Sequence, residues 1–219
     1  MSASRSSSAG EIPARSAIRS RASESQGSIT GILLVGGASR RFGSPKALAR
    51  LGTQTLAERA WSALAWCDER IALGKPGGPQ LPFAVRDDGI DVQAPIAGVV
   101  AGLRAARFET CVFLPVDVPL VGEQELRRLA AECREAAVPQ TGPLPGAYRR
   151  SALPVLERHL EAGGLALYRA VEELDVVRVS IDEQLLANVN TPRDLRALED
   201  VRPRARRSGS PRAPRAGPA

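Results

Sequence analysis

Short apolar runs alternate with amphipathic segments over residues 29–200 of this 219-residue chain. Apolar runs bounded by turn residues predict buried strands, and apolar positions spaced by three and four predict helices. The first predicted strand is ITGILLV, residues 29–35, and the most apolar is TCVFLPV, residues 110–116. The other predicted strands are residues 69–74, 82–86 and 176–181, and the predicted helices are residues 55–66, 96–108, 122–136, 152–163 and a short segment from Thr191-Pro192. Thr55 with Glu58 three residues later, and Thr191 before Pro192, predict the N-caps of the first and last of these helices.

Strands that alternate with helices and are apolar throughout favour an α/β fold. We predict a three-layer, Rossmann-like architecture, with a mostly parallel sheet covered by helices on both faces. Ligands of such folds bind at the carboxyl ends of the strands. Function is therefore expected in the segments that follow Val35, Arg86 and Val116.

The charge of the chain lies mainly at its ends. The net charge is +6 and the isoelectric point about 10, which alone would suggest a polyanionic partner. Residues 1–28 carry +2 and residues 201–219 carry +6, so residues 29–200 carry −2. Both ends are poor in large apolar residues. The sequence predicts disordered tails at 1–28 and 201–219 around one folded domain at 29–200, and nucleic-acid binding by the arginine-rich tails is an alternative function.

Cysteine and histidine usage narrows the chemistry. The chain has one histidine, His159, on a predicted amphipathic helix, and three separated cysteines. Their spacing fits neither a structural zinc site nor a dithiol redox centre. The sequence has no run of about 18 apolar residues, so we expect no membrane span. It also has no segment that resembles a signal peptide. Unpaired thiols are typical of a reducing compartment, so we expect a cytoplasmic protein without a membrane partner.

The first candidate site follows the first predicted strand, in the segment GGASRRFGSPK of residues 36–46. Its glycines let backbone N–H groups approach an anion, and Arg40, Arg41 and Lys46 add the positive charge that a triphosphate needs. Lysine is rare in this chain, with two among 30 basic residues, and Lys46 supplies a compact point charge. The segment matches neither a Walker A motif nor a dinucleotide fingerprint. The alternative is an ordinary strand-to-helix connection with solvated charges.

Two acidic positions follow other strands of the predicted sheet. Asp117 lies at the end of the most apolar strand, between two prolines. A carboxylate beside a triphosphate is a ligand that Mg²⁺ prefers, and the alternative role for Asp117 is an N-cap. Asp87 is placed to meet a ribose or a base edge. For Asp87 and Asp88, turn formation is the alternative role.

Together these segments resemble the molybdenum cofactor nucleotidyltransferase family. The segment GILLVGGASRRFGSPKA is similar to the family signature LAGGxSxRMGxxKA, LPVDVPL to PCDxPL, QAPIAGVVAGL to GPLAGLxAGL, and LLANVNTPRDL to FxNVNTPEDL. The resemblance runs from about residue 30 to 198 and includes neither tail. The glycine segment combined with NVNTP, residues 188–192, is most similar to the guanylyltransferases of the family.

This resemblance implies a Mg²⁺-dependent enzyme that transfers GMP from GTP to Mo-molybdopterin and releases pyrophosphate. The alternatives are a related transferase that uses CTP or another nucleotide on a different phosphate acceptor, and a nucleotide-binding protein without turnover. The implied partners are the two substrates and proteins that handle molybdopterin or mature molybdoenzymes. No nucleic acid is expected as a partner.

The resemblance also implies roles for individual residues. Lys46, Arg41 and Asp117 would be catalytic, and Asp117 would hold the Mg²⁺. The adjacent glycines at 36 and 37 favour guanine over cytosine. The implied ligand-binding residues are Val35, Gly36 and Gly37 through their backbone, Lys46 at the phosphates, Asp87 at the guanosine, Asp117 at the metal, and Asn188 and Asn190 on the pterin side.

Four positions depart from the family pattern. Val35 replaces alanine, Ala94 replaces glycine and Val116 replaces cysteine. Gly74 lies where some members have an asparagine that contacts the nucleotide. The last departure predicts that base recognition relies more on backbone groups than it does in those members.

Overall fold

The computed structural model describes residues 27–36, 42 and 45–201. The strands are β1 (Ile29–Leu34), β2 (Arg50–Leu51), β3 (Gln54–Thr55), β4 (Glu69–Gly74), β5 (Val85–Asp87), β6 (Thr110–Pro115), β7 (Ala136–Pro139), β8 (Gly146–Arg149) and β9 (Val176–Val179). The α-helices are α1 (Leu56–Ala63), α2 (Pro95–Ala105), α3 (Glu123–Glu132), α4 (Leu153–Glu161), α5 (Leu167–Val171) and α6 (Pro192–Val201). Short 3₁₀ turns cover Lys46–Leu48 and Arg150–Ala152.

The main sheet of the described residues has seven strands in the order β5-β4-β1-β6-β8-β7-β9. Strand β8 pairs antiparallel with β6 and β7, and the other pairs are parallel. Strands β2 and β3 form a separate antiparallel pair. The carboxyl ends of β5, β4, β1 and β6 therefore meet at one edge of the sheet.

Two apolar cores lie on opposite faces of this sheet. On one face, α1 and α3 pack against residues such as Leu33 and Val112. On the other face, α2, α4 and α5 pack against residues such as Ile32 and Phe113. Alternate residues of each central strand enter opposite cores, which is why the strands are apolar throughout. The predicted three-layer, mostly parallel fold is confirmed.

Helix caps predicted from the sequence are also confirmed. The N–H of Glu58 donates to Thr55 Oγ1 at 3.1 Å, and the N–H of Thr55 donates to Glu58 Oε2 at 2.7 Å. At the start of α6, the N–H of Asp194 donates to Thr191 Oγ1 at 3.2 Å. Such reciprocal contacts satisfy backbone donors that the first helical turn leaves open.

Predicted element ends differ from the observed ones by up to four residues, and two elements show why. The helix predicted over 122–136 ends at Glu132, and Ala136–Pro139 forms the buried strand β7 instead. Alanine favours helices intrinsically, but burial between β8 and β9 overrides that preference. The strand predicted over 82–86 is the shorter β5 at Val85–Asp87. The pattern also missed β8, α5 and the β2–β3 pair.

The tails predicted at 1–28 and 201–219 lie almost wholly outside the described residues, as do Gly37, Arg40 and Arg41. Among the described helices, none has the length and apolar character needed to cross a membrane.

The stability of the fold depends on glycine where α2 meets the sheet. A β-carbon at Gly102 would lie 2.8 Å from Ile32 Cδ1 and 2.9 Å from Phe113 Cζ. Because both neighbours are fully buried, we expect Gly102→Ala to lower the free energy of unfolding by about 1–3 kcal/mol. Denaturant unfolding of both proteins measures the difference.

Gly98→Ala on the same helix is the matched control. Its β-carbon would contact the flexible end of Leu34 at 3.1 Å, and alanine improves helix propensity by about 0.5–1 kcal/mol. We expect this variant to be nearly as stable as the wild type. Equal stabilities of the two variants would contradict the close packing described for Gly102.

Candidate active site

Backbone hydrogen bonds continue past the ends of the parallel strands and assemble the site. The N–H of Val35 donates to Leu73 O at 2.8 Å, and the N–H of Val116 donates to Leu34 O at 3.1 Å. The N–H of Asp88 donates to Gly74 O at 3.2 Å. Segments that follow β1, β4, β5 and β6 are therefore held side by side at the carboxyl edge of the sheet.

Two cavities open at this edge. The larger has a volume of about 680 Å³, and its lining includes Val35, Lys46 and Asp87. The smaller has a volume of about 410 Å³, and its lining includes Asp117 and Asn188. Both volumes are within the usual range for small-molecule sites. The wall shared by the two cavities is formed by Gly36, Gly74, Lys75 and Gln93.

Lys46 connects the two cavities through its ammonium group. Its Nζ donates to Asp117 Oδ2 at 3.2 Å and to Asn190 Oδ1 at 3.1 Å. The Lys46 side chain is 13% exposed and that of Asp117 is 30% exposed. Both charged groups are therefore partly shielded from water but open to a ligand. Two residues that the sequence placed after different strands, Lys46 and Asp117, are thus in contact at the carboxyl edge of the sheet.

Residues 188–190, the asparagine segment, are held by hydrogen bonds to Asp117 earlier in the chain and to Asp194 later in the chain. Val189 is fully buried and its N–H donates to Asp117 O at 2.8 Å, whereas Asn188 and Asn190 are exposed. The carboxylate of Asp194 accepts from the N–H groups of Asn190 and Thr191, each at 2.8 Å. These hydrogen bonds, first that from Asn190, lower the pKa of Asp194. The start of α6 thereby orients Asn190 towards Lys46.

The candidate residues differ in how directly the structure supports their placement. Val35, Gly36, Lys46 and Asp87 line the larger cavity, and Asp117 and Asn188 line the smaller one. Asn190 lines neither cavity but contacts Lys46. Gly37 and Arg41 lie outside the described residues. The roles of all these residues stay predictions.

Asp87 is both a cavity residue and a turn former. Its Oδ1 accepts from the N–H of Gly89 at 3.0 Å, which is the local turn that the sequence offered as an alternative. Gly89 has φ of +66°, a conformation that favours glycine. The turn leaves the exposed Asp87 at the rim of the larger cavity.

The structure explains the departure at Gly74. A β-carbon there would lie 3.0 Å from Val85 Cγ1 and 3.7 Å from Val35 Cβ. Val85 therefore occupies the space that a larger residue at 74 would need. The N–H of Val35 is used in the sheet, so the backbone contact with a nucleotide that the sequence predicts for Val35 would have to use its carbonyl.

Sequence reasoning missed two lining residues of note. Lys75 follows β4 directly and lines both cavities, and Phe83 lines the larger one. Phe83 stacks on Trp61 with ring centroids 4.4 Å apart. The rarity of lysine, which singled out Lys46, applies equally to Lys75. No comparable signal marks Phe83, because its contact with Trp61 joins residues distant in the chain.

Histidine and cysteine lie away from both cavities. His159 lies on α4, and its Nε2 is 2.6 Å from Glu173 Oε1. Cys67, Cys111 and Cys133 are free thiols and are buried. Burial raises the pKa of Cys67 and Cys111 to about 12 and that of Cys133 to about 11. These thiols are therefore poor nucleophiles.

Comparison with known families matches residues 31–178 to the MobA-like NTP transferase domain. The match covers the sheet edge and both cavities except for the asparagine segment. The chain belongs to the MobA-like NTP transferase family. The family resemblance inferred from the sequence is thereby confirmed.

Relatives within the MobA-like family cover most of the chain. A probable molybdenum cofactor guanylyltransferase of Deinococcus radiodurans is 33% identical, over 78% of this chain and 93% of that protein. A protein of the same description from Rhodopirellula baltica is 32% identical, over 76% of this chain and 90% of that protein.

Solved structures agree with this membership. Molybdopterin-guanine dinucleotide biosynthesis protein A of Archaeoglobus fulgidus has a TM-score of 0.65 at 26% identity and covers 78% of this chain and 97% of its own. A cytidylyltransferase for 2-C-methyl-D-erythritol 4-phosphate from Thermus thermophilus has a TM-score of 0.62 at 19% identity, covering 77% of this chain and 96% of its own. The second likeness shows the fold alone.

The buried thiols generate a prediction about chemical modification. We expect iodoacetamide at pH 8 to leave the native protein unlabelled over an hour, because thiolates are scarce at that pH and access is blocked. Mass spectrometry counts the added groups. Unfolding in guanidinium chloride is the control and should yield three modified cysteines. Rapid labelling of the native protein, with loss of activity, would contradict the burial and reopen a cysteine mechanism.

Proposed function

We propose that this protein is a molybdenum cofactor guanylyltransferase, which transfers GMP from GTP to Mo-molybdopterin and releases pyrophosphate. The observation that carries the proposal is the contact of Lys46 with Asp117 and Asn190 at the boundary of two cavities. A transferase needs two substrates to meet, and a cation at that meeting point offsets phosphate charge. The names of the relatives and the adjacent glycines support guanine as the base.

The lining of the two cavities supports a division of substrates. Residues expected to contact the nucleotide, namely Val35, Gly36 and Asp87, line the larger cavity. Asn188, expected on the pterin side, lines the smaller one. We therefore place GTP in the larger cavity and the pterin in the smaller one. The phosphates of both would then approach the shared wall and Lys46.

The proposed reaction is an in-line displacement at the α-phosphorus of GTP. The terminal phosphate of the pterin attacks, a phosphorus–oxygen bond forms, and the bond to the pyrophosphate oxygen breaks. The attacking phosphate is already ionised, so no basic side chain has to remove a proton. Lys46 offsets the negative charge that builds on the pyrophosphate. Asn190 and Asp117 hold its ammonium in place while the substrates bind.

Asp117 fits a Mg²⁺ ion that is held mainly by the substrates. No three His, Cys, Asp or Glu side chains among the described residues form a metal cluster. Asp117 is a partly exposed carboxylate in the cavity wall, and Mg²⁺ in nucleotide sites is bound by one or two carboxylates plus phosphate oxygens. When bound, the ion would neutralise phosphate charge and orient the reacting groups. We propose Mg²⁺ as the cofactor on this basis.

The cellular setting belongs to the same proposal. We place the reaction in the cytoplasm, with delivery or removal of the pterin by proteins that handle molybdopterin or mature molybdoenzymes.

Nucleotide selectivity tests the proposed function directly. We expect GTP, and not CTP, ATP or UTP, to raise the Tm of the full-length protein by several degrees. A ligand bound only by the native state adds about 2.7 kcal/mol at a hundred times its Kd, and a chain of this size gains a few degrees per kcal/mol. Pyrophosphate release with Mo-molybdopterin then measures turnover.

The outcomes separate the alternatives. Stabilisation by CTP alone would identify a cytidylyltransferase. GTP binding without pyrophosphate release would identify a nucleotide-binding protein. Absence of any shift with all four nucleotides would reject the proposal.

Asp117→Asn tests the metal role. The amide is isosteric and keeps a carbonyl oxygen, so the fold should persist, but the negative charge that attracts Mg²⁺ is lost. We expect Mg²⁺-dependent turnover to fall at least a hundredfold while GTP binding without metal stays within a few-fold of the wild type. Steady-state rates across a Mg²⁺ titration provide the measurement.

Lys46→Ala is the matched comparison, because it removes the other half of the same ion pair. We expect it to weaken GTP binding even without Mg²⁺, since it removes a phosphate contact. If Asp117→Asn retains full turnover at low Mg²⁺, the metal assignment is wrong.

A further inference from the structure

The second lysine of the chain lies on the wall between the two cavities. Lys75 Nζ is 2.6 Å from Asp88 Oδ1 and also donates to the carbonyl oxygen of Ile90. The Lys75 side chain is 27% exposed and that of Asp88 is 11% exposed. This pair joins the end of β4 to the turn that follows β5.

Strand β5 needs such a connection because it has no buried side chain whose packing could hold it in place. Its three residues are all exposed, and its partner in the sheet is β4. In β6, by contrast, four of the six residues are buried between the two cores. Asp117 is therefore positioned by apolar packing, whereas Asp87 at the end of β5 depends on polar contacts.

The turn after β5 is built from hydrogen bonds that converge on Asp88. Its Oδ1 accepts from the N–H of Ile90 at 3.1 Å as well as from Lys75. Its own N–H donates to Gly74 O at 3.2 Å. Asp87 Oδ1 closes the turn as well, by accepting from the N–H of Gly89, but Asp88 is the carboxylate that links the turn to β4. Lys75 holds its side chain, and Gly74 O accepts from its N–H.

The two aspartates of this turn face different cavities. Asp87 lines the larger cavity and Asp88 lines the smaller one. A movement of the turn would therefore displace Asp87 from the larger cavity and change the shared wall. Partly exposed ion pairs contribute little to global stability. The pair between Lys75 and Asp88 is better suited to placing the turn than to holding the fold.

We propose that Lys75, acting through Asp88 and the carbonyl of Ile90, is a positioning residue that holds Asp87 in place for nucleotide binding. The identity of the nucleotide as GTP rests on the proposed function. An ammonium suits this position because it donates to two acceptors from a single compact charge. Lys75 is distinct from Lys46, which meets the phosphates in the proposed reaction.

The test compares Lys75→Met with Asp88→Asn in the full-length protein. We expect each to raise the Kd for GTP, and the KM for GTP, about tenfold, with kcat within twofold of the wild type when both GTP and Mo-molybdopterin are saturating. The double variant should be no worse than either single variant, because each abolishes the same ion pair between the two side chains. Calorimetry measures Kd and steady-state rates give KM and kcat.

Arg104→Met is the matched control. Arg104 forms an ion pair with Glu157 at 2.7 Å between α2 and α4, and neither residue lines a cavity. Its loss should leave Kd, KM and kcat unchanged. Circular dichroism and Tm show whether each variant is folded, and the nearly isosteric Asp88→Asn provides the test if Lys75→Met does not fold.

If the wild type binds a nucleotide, three outcomes would overturn the inference. Folded variants that bind GTP within twofold of the wild type would make the pair structural only. A fall in kcat with unchanged KM would place Lys75 at the reacting phosphates. A double variant in which the effects multiply would separate Lys75 from Asp88.

Failure of the wild type itself to bind GTP would reject the proposed function instead, and the same comparison would then use the nucleotide that does bind. A wild type that binds none would overturn both.

Discussion

The ammonium group of Lys46 is held 3.2 Å from Asp117 and 3.1 Å from Asn190, residues that lie 71 and 144 positions further along the chain. A partly exposed ion pair of this kind adds about 0.2–1 kcal/mol to stability. The contact therefore matters for where it holds these side chains, and little for stability. Three chain segments have to be in register before these groups meet, and the meeting point is the boundary between the two cavities.

That register is supplied by the backbone rather than by the side chains themselves. Strand β1 lies between β4 and β6, and its hydrogen bonding continues past the strand ends through Val35 and Val116. The N–H of Val189 then donates to Asp117 O. Backbone hydrogen bonds are directional, and Val189 is buried. The backbone positions of its neighbours Asn188 and Asn190 are therefore fixed. The polar site is thus an extension of the sheet.

The two sides of the site differ in how they are held. Strand β6 carries Asp117 out of a fully packed interior, whereas β5 carries Asp87 on an exposed edge. The edge is tied to β4 by Lys75 and Asp88. An enzyme that admits and releases a nucleotide benefits from less packing on that side, because weakly packed segments rearrange at low free-energy cost.

Local chemistry let the sequence predict the fold class, the positions of β1, β4 and β6, and the caps at Thr55 and Thr191. It also selected Lys46 and Asp117 as candidates. These predictions depend on patterns within a few residues and on the rule that ligands meet the carboxyl ends of parallel strands. A motif resemblance added the two asparagines and the expected roles.

The tertiary structure alone decided the remaining features. Ala136–Pro139 is a strand because of its burial between β8 and β9, although its alanines favour a helix. The division of the edge into two cavities, and the pairing of Lys75 with Asp88 across 13 positions, follow from the order of strands in the sheet. Side chains meet there only after strands distant in sequence have paired. The sequence by itself therefore determined the fold class and the first candidate residues, and the fold determined which of these candidates share a cavity.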